Sequence, residues 1–190
     1  MMISKLFGKA RAEEGFTLVE LMVFIGIMVI FLIGVGGMIT SGVKSSTASF
    51  NLVKISEGAN EALSTMVRQI RVATSMDAAS TSSLIVFSGD VDGDGTTQTV
   101  RFDVSGGYLR KGPTADSMSN WIADVDTVTF TYYWYNPSTK QAEPIADADW
   151  AAHYMDVYRV DIGLTMTINS AGNTVGRSYN TSVTLRNKLQ

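Results

Sequence analysis

The sequence predicts an α+β protein, and three patterns carry that prediction. Residues 21–39 form a run of nineteen without a charge, a polar side chain or a proline, which is the length and texture of a membrane-crossing helix. Further on, Leu52, Ile55, Ala59, Leu63, Met66, Ile70 and Ala73 recur at spacings of three and four, while Glu57, Glu61, Arg68 and Arg71 fall off that stripe. That period is an amphipathic helix with one face to bury. The remaining chain supplies a sheet to bury it against. SSLIVFS, TQTVRFDV, GYLRKG, VDTVTFTYYWY, MDVYRVDIGLTMTIN and NTSVTLRN are rich in β-branched and aromatic residues and read as antiparallel strands.

In chain order, residues 1–15 (MMISKLFGKARAEEG) place Lys5, Lys9 and Arg11 just ahead of the apolar run. No small-x-small site closes that run on its far side, so the segment does not read as an ordinary signal peptide. The apparent processing point comes earlier, at Gly15-Phe16. Basic residues before a span hold that end in the cytoplasm, which predicts an extracytoplasmic C-terminal domain. Glu20 sits inside the apolar run that begins at Phe16. A carboxylate at mid-bilayer costs at least ~2.5 kcal/mol, so this one calls for a partner.

Gly15, Phe16, Thr17, Leu18, Val19 and Glu20, after a basic leader and before an apolar helix, closely resemble the signature of the type IV prepilin and type II secretion pseudopilin family. The resemblance implies that prepilin peptidase cuts after Gly15 and N-methylates Phe16, leaving the helix in the mature protein. It also implies a pilin-like fold, a long N-terminal helix whose first half spans the membrane and whose second half packs on an antiparallel sheet. Glu20 would then neutralise the α-amino group of Phe16 on a neighbouring subunit, removing two isolated charges from a dry filament core. The competing reading is a single-span anchor whose glutamate snorkels toward the headgroups.

The expected divisions are a leader at 1–15, a transmembrane and filament-core helix at 16–40, an amphipathic helix at 41–75 that continues into the globular domain, and a β-rich extracytoplasmic domain at 76–190. Leader and span leave about 150 residues, one domain of common size. Gly34, Gly36 and Gly37 crowd the helix, either as a place to bend or as small residues for close packing. Major pilins usually carry a proline where this chain has Gly37, and the difference points toward a minor pilin or pseudopilin. The Ser-, Thr- and Gly-rich residues 41–49 read as an irregular joint or as more helix. The order of the later elements is similar to the larger minor pilins and J-type minor pseudopilins.

A net charge of −3 and an isoelectric point near 5.1 provide no basic field for nucleic acid. The chain has no cysteine, so a disulfide like the one that closes a C-terminal loop in many pilins is excluded. His153 is the only histidine, and no HExxH, cysteine cluster or nucleophile elbow occurs, so the sequence points away from an enzyme.

One loop has chemical character. Asp90, Asp92 and Asp94 alternate with Val91, Gly93 and Gly95, the spacing of the first half of a calcium loop. The twelfth position from Asp90 is Arg101 instead of a bidentate glutamate, and strands flank the loop, so a solvated hairpin turn competes with calcium. No motif requires another cofactor. Trp121, Tyr132, Tyr133, Trp134 and Tyr135 read either as a carbohydrate or partner surface or as core and cross-strand pairs. Residues 136–152 read as a surface loop suited to partner contact.

The function expected from all this is structural: a minor subunit of a type IV pilus or a type II secretion pseudopilus, without turnover. Its partners would be prepilin peptidase, other pilins or pseudopilins, and the bacterial inner membrane, crossed once. The alternative is a single-span, membrane-anchored extracytoplasmic adhesin or binding protein.

Overall fold

The structure, a computed structural model, describes residues 16–170 and 173–186. The leader expected at 1–15 lies outside them. The chain divides into two compact units, residues 1–45 and 46–190, and each is described by itself.

The first unit contains the start of helix α1 (Leu18–Arg71). Thr17 opens the helix, its Oγ1 accepting the Glu20 N–H at 3.2 Å and so satisfying one of the donors a helix leaves unpaired at its N-terminus. The glycine-rich stretch remains helical, and Thr40 Oγ1 donates back to the carbonyls of Gly37 at 2.9 Å and Gly36 at 3.2 Å. Residues 41–49 are not an irregular joint. The helix runs through them, because serine and threonine cost only tenths of a kcal/mol each there and no proline removes a hydrogen bond.

In the second unit, α1 buries Asn51, Ile55, Ala59, Ala62, Met66, Gln69 and Ile70. Leu52 and Leu63, expected on the stripe, are half-buried along its flank. The helix ends at Arg71, short of the boundary expected at 75, and Ala73 opens strand β1 (Ala73–Met76) instead of closing the helix. Ala73 fits the helical spacing and is buried in either conformation. The decision comes from its partner Gly89, where a Cβ would sit 2.6 Å from the Val72 carbonyl oxygen. Only glycine lets that strand close against the chain as it leaves the helix.

The single expected sheet is two antiparallel sheets. The first is β1 with β2 (Ile85–Gly89), β3 (Gln98–Ser105), β4 (Tyr108–Gly112) and β5 (Ser119–Ala123), adjacent in chain order. The second comprises β6 (Val125–Asn136), β7 (Gln141–Pro144), β8 (Val157–Ser170) and β9 (Asn173–Thr184), in the order β7-β6-β8-β9. Asp124, left-handed at φ 64°, is the one residue between β5 and β6, and its carboxylate takes an ion pair from Lys54 of α1 at 2.8 Å. That tight turn sends the chain into a new sheet where a longer hairpin would have extended the old one.

One hydrophobic cluster joins the residues α1 buries to both sheets: Phe87, Phe102 and Leu109 from the first, Phe130, Ile162 and Leu164 from the second. Among the described residues, the one carboxylate the fold buries is Asp103, held in a fork by Arg110 Nε and Nη2, each at 2.8 Å. Residues 136–152 are more ordered than a free surface loop. They contain β7 and the first three residues of the short helix α2 (Trp150–His153), whose Trp150 donates Nε1–H to the Ala78 carbonyl at 3.0 Å and packs on Tyr132 at 4.6 Å between ring centroids.

Candidate functional site

The expected processing and assembly residues are Gly15, Phe16 and Glu20. Gly15 lies outside the described residues. Phe16 lies two residues before α1 and is 84% exposed, and Glu20 lies in the first turn of the helix. The large apolar side chains from Phe16 to Ile33 are all exposed, and none of the most apolar stretch of α1 is buried within the chain. A soluble protein does not leave such a continuous apolar surface in water; it needs a bilayer or other apolar helices around it. The helix is long and apolar enough to cross a membrane once.

Glu20 has a local role that the sequence reading missed, although its signal was present. Thr17-Leu18-Val19-Glu20 has the threonine-to-glutamate spacing of a capping box, and Glu20 is the acidic residue of the first turn of α1. There the helix dipole favours a carboxylate by ~0.3–1 kcal/mol. This effect is far smaller than the cost of burying the charge in hydrocarbon, so it offsets only a small part of that cost.

The second candidate is the β2–β3 connection. Asp90, Asp92 and Asp94 each bring a carboxylate oxygen to within 4.8 Å of the others. Calcium holds its oxygens at about 2.4 Å, so ligands on opposite sides of the ion lie about 4.8 Å apart, and the three carboxylates fit such a sphere. They also serve the turn. Asp90 accepts the Gly93 N–H at 2.7 Å and the Gly95 N–H at 3.1 Å, and Asp94 accepts the Thr96 N–H at 2.7 Å. Gly93 and Gly95 take positive φ, 82° and 85°, which brings the backbone donors round to these oxygens.

Gln98, at the start of β3, is the member of this cluster that sequence reasoning did not find. Its Nε2 donates to Asp92 Oδ2 at 2.5 Å and holds the Asp92 carboxyl below the usual carboxylate range. Exchange of the two ends of the amide would present an oxygen to the same spot. The chemistry of the set, three carboxylates and one amide, suits a hard cation, and the hydrogen bonds within it equally suit a hairpin turn.

The aromatic strand divides by position along β6. Tyr132 is buried and donates its hydroxyl to the carbonyls of Thr81 and Leu84 at 3.0 and 3.1 Å, and burial pushes its pKa up. Tyr133 lies under the Arg159 guanidinium at 3.9 Å, Trp134 stacks on His153 at 4.0 Å, and Tyr135 is 54% exposed. Trp121 donates Nε1–H to Glu61 of α1 at 3.2 Å. Core and cross-strand contacts account for these aromatics apart from Tyr135. His153 faces Asp156 at 3.6 Å.

No model of a known protein family matches the chain, and no curated protein is significantly similar to it. What the structure defines is therefore an α+β protein with antiparallel sheets and a long N-terminal apolar helix able to span a membrane once.

Proposed function

We propose that this chain is a minor structural subunit of a type IV pilus or a type II secretion pseudopilus, cut by prepilin peptidase after Gly15, N-methylated on Phe16 and assembled through α1. The observation that carries the reading is the apolar first half of α1, its large side chains from Leu18 to Ile33 all exposed among the described residues, with the residues GFTLVE at its start. A pilin-like fold accords with one helix that is lipid-like at its start and forms the spine of a β-rich domain at its end. In this reading the bilayer covers the apolar segment before assembly, neighbouring helices cover it afterwards, and Glu20 meets a neighbour's α-amino group.

The test is processing. Expressed in a bacterium together with a prepilin peptidase, the wild-type protein should lose residues 1–15 and carry a methyl group on Phe16, as read by mass spectrometry. Gly15→Ala should retain Met1. Recovery of mature, methylated protein from the mutant, or of uncut protein from the wild type, would leave the anchored adhesin or binding protein as the better reading. Calcium at Asp90, Asp92 and Asp94 is the accompanying ligand expectation, tested by the melting experiment below.

A further inference from the structure

Among the described residues β9 has the longest outer strand edge, and we propose that it docks an extended strand supplied by a different protein chain. A sheet edge presents unpaired N–H and C=O groups, and proteins usually blunt their edges with short strands, bulges, proline or lysine. Three of the four outer strands here follow that rule. β1 has four residues with a register break between Ala73 and Ser75, β5 has five, and β7 has four and ends on Pro144. β9 has twelve residues, pairs with β8 without a break, and contains no proline, lysine or carboxylate.

The groups that face outward follow from the register. Leu185 N–H donates to the Tyr158 carbonyl at 2.8 Å, so this pair is bonded inward, toward β8. Antiparallel pairs alternate between bonded and unbonded. Odd-numbered residues of β9 therefore bond to β8, and Thr174, Gly176, Ser178, Asn180 and Ser182 turn their N–H and C=O to the open side. Thr167, the partner of Gly176, agrees: its N–H donates away from β9, to the Asp124 carbonyl at 3.0 Å. Among the described residues no backbone hydrogen bond outside the strand ladders reaches these five positions.

The neighbouring side chains state what kind of strand would fit. Tyr179 is hydrogen-bonded through its hydroxyl to Ser56 of α1 at 3.0 Å, so the row Val175, Arg177, Tyr179 faces the helix. Leu52 and Val53 lie one turn before Ser56 on the same helical flank, and Val53 is 55% exposed. Asn60, one turn after Ser56, is exposed and closes the apolar part of that flank with a polar side chain. An added strand would set alternate residues over this flank, where apolar side chains fit against Leu52 and Val53, and the others beside Ser178, Asn180 and Ser182, where polar ones do. Arg177 has no carboxylate partner among the described residues and asks for one across the new ladder. The occupant is thus an amphipathic strand with a carboxylate opposite Arg177.

A second copy fits poorly. Its β9 has no carboxylate to offer Arg177, and its other edges are too short to cover twelve residues.

The test uses the full chain in detergent micelles and a fluorescent twelve-residue peptide, matched to the length of β9, that alternates valine with threonine and has one valine replaced by glutamate. We expect saturable binding by anisotropy and slowed hydrogen exchange at Gly176, Ser178, Asn180 and Ser182. The same peptide N-methylated at alternate residues should not bind. Ser178→Pro and Asn180→Pro remove outward N–H groups while keeping the backbone hydrogen bonds to β8, the first also losing the Ser178–Thr165 hydroxyl contact, and both should weaken binding at least about tenfold. Arg177→Glu, which leaves the strand intact, should lose the glutamate peptide and prefer a lysine version. No saturable binding up to about 1 mM, equal binding of the N-methylated peptide, or slowed exchange elsewhere would overturn the proposal. So would a dimer of the protein alone that protects the same four amides. None of these outcomes bears on cleavage at Gly15-Phe16, so this proposal and the filament reading fail separately.

Discussion

Ile55 and Phe50 lie on the same helix, five residues apart, and the structure gives them opposite tasks: Ile55 is 0% exposed and Phe50 is 71% exposed. Ile55→Ala removes buried methyl and methylene groups from a site walled by α1 and the two sheets, where truncations of this kind cost ~2–5 kcal/mol. With a central value of ~3 kcal/mol and ~2–4 °C per kcal/mol for a domain of this size, the melting temperature should fall by about 6–12 °C. Phe50→Ala touches nothing in the core and should change stability by less than ~0.5 kcal/mol, or about 2 °C. The assay is thermal unfolding by circular dichroism of a soluble fragment beginning at Ser46, which retains every buried residue from Asn51 to Leu185. If the chain assembles into a filament as proposed, the order should invert in the full chain: Phe50→Ala should lower recovery of the protein in sheared filaments, because the exposed ring can pack against neighbouring helices. If Phe50→Ala melts as low as Ile55→Ala, the assignment of the helix faces is wrong. If Phe50→Ala also assembles normally, the exposed ring has no part in packing between subunits.

Glu20→Gln keeps the reach of a capping box but loses the charge, whereas Glu20→Leu loses both. On the filament reading both should be cleaved and inserted normally yet be depleted from filaments, and normal assembly of Glu20→Gln would remove the charge pairing from that reading. If Asp90, Asp92 and Asp94 hold calcium, a hundredfold excess over Kd stabilises the folded state by ~2.7 kcal/mol, so chelation should lower the melting temperature by about 5–10 °C. Equal melting in calcium and in chelator, with an Asp92→Asn, Asp94→Asn double mutant no less stable, would leave the loop as a turn. Tyr132→Phe should cost ~1 kcal/mol, since the single phenolic proton shared between the Thr81 and Leu84 carbonyls is lost while both carbonyls keep their backbone donors. Because burial raises the pKa of this hydroxyl, its contribution is intact below the unfolded pKa of about 10 and is lost as pH climbs toward the folded value. Wild type should therefore lose more stability than the mutant between about pH 9 and 11, and parallel pH profiles would contradict the buried placement.

The apolar helix was legible because composition alone decides it: nineteen residues without a polar group admit few structures besides a span. The stripe through Ile55, Ala59, Met66 and Ile70 was legible because its helical period is written locally, and five of the strands because β-branched and aromatic residues mark them, whereas β9 was read only from Asn180 although it begins at Asn173, where Asn, Gly, Arg and Ser give no β signal. The strands β1, β5 and β7 were not. At four or five residues each, with sequences such as ATSM and QAEP, they have no periodicity of their own and become strands through the partners they find. Ala73 shows the same limit, since its burial fits helix and strand alike and Gly89, sixteen residues away, decides between them. The carboxylates of the Asp90 loop could be read from their spacing, but Gln98 could not, because only the hairpin folds it back onto Asp92. The split into two sheets and the bare edge of β9 belonged to tertiary structure alone. A sequence encodes the period and polarity of each segment, but which side of a strand remains unpaired depends on where every other strand has gone.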